Sequence, residues 1–174
     1  MRASFVRTTI GLLVAASGLA AQPTRVSETT RVTVNGIGSI RIGTSVGQAR
    51  RASGLELVPE HAPLNELDCY YVQPRSGLRN IRLMVTDGHI SRIDISNPNI
   101  RTLSGARIGM TEAEILRLYR GQVEATPHKY DPTGHYLTVY PRSPRRVVFE
   151  TDGRVVKNYR IGTVPEIGYV EGCS

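Results

Sequence analysis

Gly43-Thr44-Ser45-Val46-Gly47 is the part of this 174-residue chain that comes nearest to a nucleophile site. A G-x-S-x-G run between a strand and a helix is the setting in which a tight turn exposes a serine hydroxyl for acyl transfer. The segment that surrounds it, Ile42-Gly43-Thr44-Ser45-Val46-Gly47-Gln48, returns 66 positions later as Ile108-Gly109-Met110-Thr111-Glu112-Ala113-Glu114. The second copy keeps the leading glycine and a hydroxyl but puts Ala113 where the second glycine stood. What both copies share is Ser45 with Gln48 and Thr111 with Glu114, the S/T-x-x-E/Q capping box that opens a helix. Both hydroxyls are therefore read as helix caps, and no catalytic residue is assigned.

The run His128-Lys129-Tyr130-Asp131-Pro132-Thr133-Gly134-His135 holds two imidazoles and a carboxylate. Such a group can bind zinc or share a proton. If residues 131–134 form a four-residue turn, Tyr130 faces His135, and His128 lies on the same face as Leu137 and Val139. No third histidine or cysteine accompanies the pair, so neither a metal nor a cofactor is assigned. A small envelope hydrolase or metal-dependent enzyme built on the His128/His135 hairpin is the alternative function. His61 and His89 fall in a loop and at a strand edge.

Aromatic and basic residues give the candidate binding surface. Of eight tyrosines, Tyr130, Tyr136, Tyr140, Tyr159 and Tyr169 lie beyond the second helix, in a chain with no tryptophan and two phenylalanines. Tyr136, Thr138 and Tyr140 alternate with Leu137 and Val139 along one strand. If the apolar set meets a helix, Tyr136 and Tyr140 point outward as a recognition strip, joined by Tyr159 and rimmed by Arg146 and Arg160. The bland reading is half-buried tyrosine in a good strand.

The chemistry is limited by compartment. Arg2 and Arg7, the apolar run from Thr8 to Leu19, and Gly18-Leu19-Ala20 read as a signal peptide over residues 1–20, too short to span a bilayer comfortably. No cysteine lies near the expected cleavage point, so the chain is expected to be periplasmic or secreted and not lipid-anchored, with no stable membrane span once processed. Removing residues 1–20 takes away two arginines and no acid, so the net charge falls from +7 to +5. Beyond that segment Lys129 and Lys157 are the lysines and the other basic residues are arginines, which suit bidentate contacts with anions. Nucleic acid is not expected in that compartment. The expected partners are an envelope protein or an anionic envelope component; the oligomeric state is left open. Cys69 and Cys173, an even pair in an exported chain, read as one disulfide. A redox pair is the alternative, without the C-x-x-C spacing.

The elements that must position these residues follow from caps and turns. Ser45 and Thr111 start two short helices that Gly54 and Gly121 end. Leu83-Met84-Val85-Thr86-Asp87-Gly88-His89-Ile90 returns 65 positions later as Val148-Phe149-Glu150-Thr151-Asp152-Gly153-Arg154-Val155. Asp-Gly between β-branched runs predicts a type I′ hairpin in each. Two blocks at one offset point to a tandem duplication. The expected fold class is α+β, two tandem helix-plus-antiparallel-sheet repeats, with an N-terminal segment at residues 21–38, repeat 1 at 39–104 and repeat 2 at 105–174.

Duplicated exported units with an I-G-x-[ST] helix start and a late D-G hairpin resemble the β-lactamase inhibitory protein fold. A single unit resembles the small outer-membrane assembly lipoproteins of the BamE type. Over residues 39–174 the resemblance implies a noncatalytic module that binds another protein or an envelope component, inhibitor-like or an assembly factor. The chain departs from both: it lacks a lipobox cysteine, and one long-range cysteine pair replaces a disulfide within each repeat. The stretch from Arg160 to Cys173 resembles the ends of uncharacterised exported proteobacterial proteins, and implies no activity.

Overall fold

The computed structural model describes residues 26–61, 69–140 and 142–173. The signal-peptide reading of residues 1–20 lies outside them. Strands β1 (Val32–Thr33), β2 (Gly36–Ile37) and β3 (Ile40–Arg41) form a small antiparallel sheet. Helix α1 (Val46–Ser53) follows, then β4 (Leu57–Pro59), β5 (Tyr70–Pro74), β6 (Ile81–Thr86) and β7 (His89–Ile95). Helix α2 (Glu112–Leu118) precedes β8 (Val123–Pro127), β9 (His135–Val139), β10 (Arg145–Thr151) and β11 (Val156–Thr163). Strands β4 to β11 make one antiparallel sheet in the order β4-β5-β6-β7-β11-β10-β9-β8.

Both helices begin where the caps predict. Ser45 Oγ accepts from Gln48 N at 3.2 Å while Gln48 Oε1 accepts from Ser45 N at 2.9 Å. Thr111 and Glu114 repeat the exchange at 3.2 and 2.7 Å. Gly54 takes the left-handed conformation that ends α1, and α2 closes at Tyr119, two residues before Gly121. The Asp87-Gly88 turn has positive φ at both residues, as a type I′ turn requires. The second turn differs. Thr151 pairs with Val156 after a register shift, so residues 152–155 form a wider loop, which the Asp152 carboxylate closes by accepting from Arg154 N and Val155 N.

The expected α+β class, two tandem helix-plus-antiparallel-sheet repeats, is corrected: the protein is mostly β. The helices have eight and seven residues and form a thin covering, while β7 and β11 pair Ile93 with Ile161 and fuse all eight strands into one sheet. Capping boxes mark where helices start, and carry nothing about how little chain the helices use. The separate sheet at residues 32–41 was not anticipated either, because its strands have two residues each and show no alternation.

One face of the large sheet carries the core. Leu83, Ile93, Ile161, Phe149 and Leu137 alternate inward and pack with Ala49 and Ile115 of the helices and with Val32, Ile37 and Ile40 of the small sheet. The opposite face carries Tyr71, Arg82, Met84, Arg92, Asp94, Arg160, Val148, Glu150, Tyr136 and Thr138, placed in rows by the register. Gly162 sits in that face beside Arg92, where a Cβ would fall 2.7 Å from Ser91 O and 3.0 Å from Arg92 Cα. The close approach of β7 and β11 at that point requires glycine.

Candidate binding face and its C-terminal strap

Two arginines on the central strands organise the second face. Arg92 on β7 is 5 % exposed and Arg160 on β11 is 4 % exposed. A buried guanidinium is stable only when its charge and its N–H groups are matched. Arg92 Nε donates to Asp94 Oδ1 at 2.9 Å, and Arg160 Nη1 donates to Glu150 Oε1 at 2.5 Å. Arg92 Nη2 donates to the Tyr71 hydroxyl, and further donors of both arginines reach the C-terminal segment, which crosses this face as a strap. Arg92 Nη1 donates to the carbonyls of Glu166 and Tyr169, and Arg160 Nε to that of Ile167. Ile167 packs on Tyr136 and Val148, with Val170 beside them.

The strap is fixed at its end by the predicted Cys69–Cys173 disulfide, whose Cα atoms are 5.2 Å apart. Lys129 Nζ lies 2.7 Å from Glu171 Oε1, and Tyr130 donates its hydroxyl to the same carboxylate. These two contacts hold the Glu171 carboxyl below the usual carboxylate range. Tyr71 lies under the strap near Gly172, with the Arg82 guanidinium 3.9 Å above its ring centroid. Burial pushes the Tyr71 phenol up to about 12.

Beside the strap, Thr126, Thr138, Arg146, Tyr136, Val148 and Val170 line a groove of about 190 Å³. Its floor is apolar, and Arg146, whose Nε donates to Ser143 O at 3.0 Å, lies on its border. Arg160 also lines it, 5.5 Å from the Tyr136 ring centroid, with Nε and Nη1 held by Ile167 O and Glu150.

The structure brings together three of the five expected binding residues, Tyr136, Arg146 and Arg160. Their expected exposure is corrected: Tyr136 is 9 % exposed because the strap covers it, and Arg160 is buried. Tyr140 does not join them. Its φ of +58° breaks the strand alternation and turns the ring toward the main core, edge-on to Tyr119 at 6.3 Å. Tyr159 lies fully buried in that core, its hydroxyl donating to Ile100 O at 3.3 Å. Sequence reasoning missed Arg92, Asp94, Glu150 and the strap. The signal was available in Arg92-Ile93-Asp94-Ile95, where charge alternates with isoleucine on a strand too apolar to be an edge.

The histidine hairpin separates its own candidates. Pro127 pairs with His135, where the assumed register placed Tyr130, a shift of three residues, and His128 N closes the ladder on Gly134 O. His128 therefore faces the strap side, stacked on Tyr136 at 4.5 Å, with its Nδ1 accepting from Tyr130 N and Asp131 N. His135 faces the helix side, where Nδ1 lies 2.9 Å from Glu112 Oε1. Among the described residues no three His, Cys, Asp or Glu side chains are grouped to hold a metal, and every buried side-chain polar atom has a partner. Ser45 is engaged in its cap. Nothing in this geometry positively indicates catalysis.

Among the described residues no helix is long and apolar enough to cross a membrane. No family model and no curated protein matches the chain. Among solved structures it is similar to the crystal structure of the uncharacterized protein yfeY from Escherichia coli, at 17% sequence identity and a TM-score of 0.48, over 80% of this chain and 99% of that one.

Proposed function

We propose that this is a noncatalytic exported protein that binds an envelope protein through the groove beside its C-terminal strap. The observation that carries the reading is the composition of that groove. Tyr136, Val148 and Val170 supply an apolar floor, and Arg146 borders it. A rigid aromatic floor beside a guanidinium suits a protuberant apolar side chain next to a carboxylate, the kind of pairing that dominates many protein interfaces. The two buried arginine–carboxylate pairs and the disulfide fix the strap in place, so the groove is formed before a partner arrives. The long-range disulfide and the signal-like residues 1–20 support an oxidising compartment.

Thr138 is half-buried on the groove wall and faces away from the main core. A Thr138→Arg substitution fills the groove without entering the core. In affinity capture from a native envelope extract, read by mass spectrometry, the wild-type chain retains a partner that the variant loses at unchanged Tm. Equal capture by both at equal stability rejects the groove as the binding site.

A further inference from the structure

We infer that two copies of this chain associate by antiparallel pairing of their β8 strands about Ala125, a surface distinct from the groove. The large sheet ends at β4 on one side and β8 on the other, and the two edges are built differently.

At β4, Arg75 N donates to Glu56 O and Glu60 N donates to Tyr71 O, so residues 56, 58 and 60 direct their backbone groups to β5. The outward groups belong to Leu57 and Pro59. The outward Leu57 carbonyl accepts from Arg50 Nε at 2.9 Å, and Pro59 has no N–H. With three residues, a capped carbonyl and a proline, this edge is closed to another strand.

At β8 the same parity leaves the opposite result. Tyr140 N donates to Gln122 O, and His128 N donates to Gly134 O, so the even-numbered residues face β9. Val123 and Ala125 direct both N–H and C=O outward, and Pro127 directs a carbonyl. Glu124, Ala125, Thr126 and Pro127 are exposed, with no described element over them. Only an extended strand matches this row of donors and acceptors.

The pattern fits a second copy. A two-fold axis at Ala125 pairs each Ala125 N–H with the other's carbonyl and brings each Val123 N–H to the partner's Pro127 carbonyl, the end that lacks a donor. Glu124 then opposes the partner's Thr126, and the two carboxylates lie diagonally, about 8 Å apart at ordinary strand spacing. Val123, Ala125 and Pro127 meet their counterparts on the helix side of the sheet. With β4 closed, the large sheet has one usable edge among the described residues, so pairing through it stops at two copies and gives a sixteen-stranded sheet rather than a filament. A five-residue edge buries far less than a standard interface, so the dimer is weak, and the chain's positive net charge opposes it at low salt.

The test uses sedimentation equilibrium of the disulfide-intact protein with increasing concentration and salt. The expected result is a molar mass that climbs toward twice the monomer, more steeply at high salt, and remains at the monomer value for Ala125→Pro. That substitution deletes the outward N–H and spares the β8–β9 ladder. An Ala125→Cys variant keeps the strand and reads the register directly. Antiparallel hydrogen-bonded pairs place Cα atoms about 5.5 Å apart, within disulfide range. Ala125→Cys is expected to form an intermolecular disulfide at least tenfold faster than Glu124→Cys. A wild-type chain that stays monomeric throughout, with equal cross-linking of the two cysteine variants, overturns the inference. So does a dimer that Ala125→Pro leaves intact.

Discussion

Arg92 Nη1 donates to the backbone carbonyl of Tyr169 at 2.6 Å, joining a central strand to a segment 77 residues later in the chain. The bond is short because the donor is charged, and it is sheltered because the strap covers it. Arg160 does the same for Ile167. The strap is thus held by guanidinium groups that need it as much as it needs them, since each would otherwise carry buried N–H groups without acceptors.

Removing one member of such a pair should cost more than the pair contributes. Arg92→Met removes the guanidinium paired with Asp94 and its donors to the strap, and breaking a nearly buried ion pair in this way typically destabilises by about 3 kcal/mol. The added substitution Asp94→Leu should recover most of that loss. Urea unfolding of the single and double variants measures both. A single variant within about 0.5 kcal/mol of wild type would show that Arg92 does not anchor the strap.

The Cys69–Cys173 disulfide closes a loop of 104 residues. In the chain-entropy account a loop of that size contributes up to about 4 to 5 kcal/mol by restricting the unfolded chain. Replacing both cysteines by serine should therefore lower the urea midpoint, with amide exchange accelerating first at residues 164–173. The arginine contacts are retained, so the strap should remain docked in the native state. Exchange that accelerates equally over β7 and β11 would mean instead that the disulfide supports the whole sheet.

Local chemistry was legible in the sequence where one residue decides one geometry. Ser45 and Thr111 start their helices because a hydroxyl satisfies an otherwise unpaired amide, and Asp87-Gly88 turns because both residues accept positive φ. The cysteine pair followed from compartment and count. What failed needed distance information. Tyr136 and Tyr140 have the same parity, yet one lies under the strap and the other in the main core, because a single left-handed residue at the end of β9 reverses the alternation. The His128/His135 pair was split across the two faces by a three-residue difference in register, an odd shift that flips every side chain. That the segment after β11 folds back over the sheet has no local signature at all, since its partners, Arg92 and Arg160, lie elsewhere in the chain.

Tyr136 distinguishes a strap-covered side chain from an exposed one. Its ring is stacked on His128, packed against Ile167 and Val148, and 9 % exposed. Tyr136→Ala should destabilise by about 3 kcal/mol, in the range of other buried aromatic truncations, while Leu103→Ala, at 71 % exposure, should stay within about 0.5 kcal/mol. Thermal or urea unfolding reads the difference directly. Similar small effects at both positions would restore Tyr136 to the surface and remove the strap as its cover.

Tyr71 gives the strap an alkaline limit. Its hydroxyl accepts from Arg92 Nη2 at 3.1 Å beneath Gly172, and burial, with a smaller contribution from Asp94, pushes the phenol from 10 up to about 12 while Arg92 and Arg82 pull the other way. Below pH 10 this side chain is protonated in both folded and unfolded chains, and its contribution is fully present. Between pH 10 and about 12 the unfolded chain loses the proton and the folded chain keeps it, so the folded state binds more protons and stability falls as pH rises. Tyr119 and Tyr159 are raised by burial as well, so the informative quantity is the difference between wild type and Tyr71→Phe. That variant should lack one late phenolate in near-ultraviolet titration, and its stability should decline less steeply over the same pH window. Superimposable titration and stability curves for the two proteins would place the Tyr71 hydroxyl in solvent and the strap off the sheet.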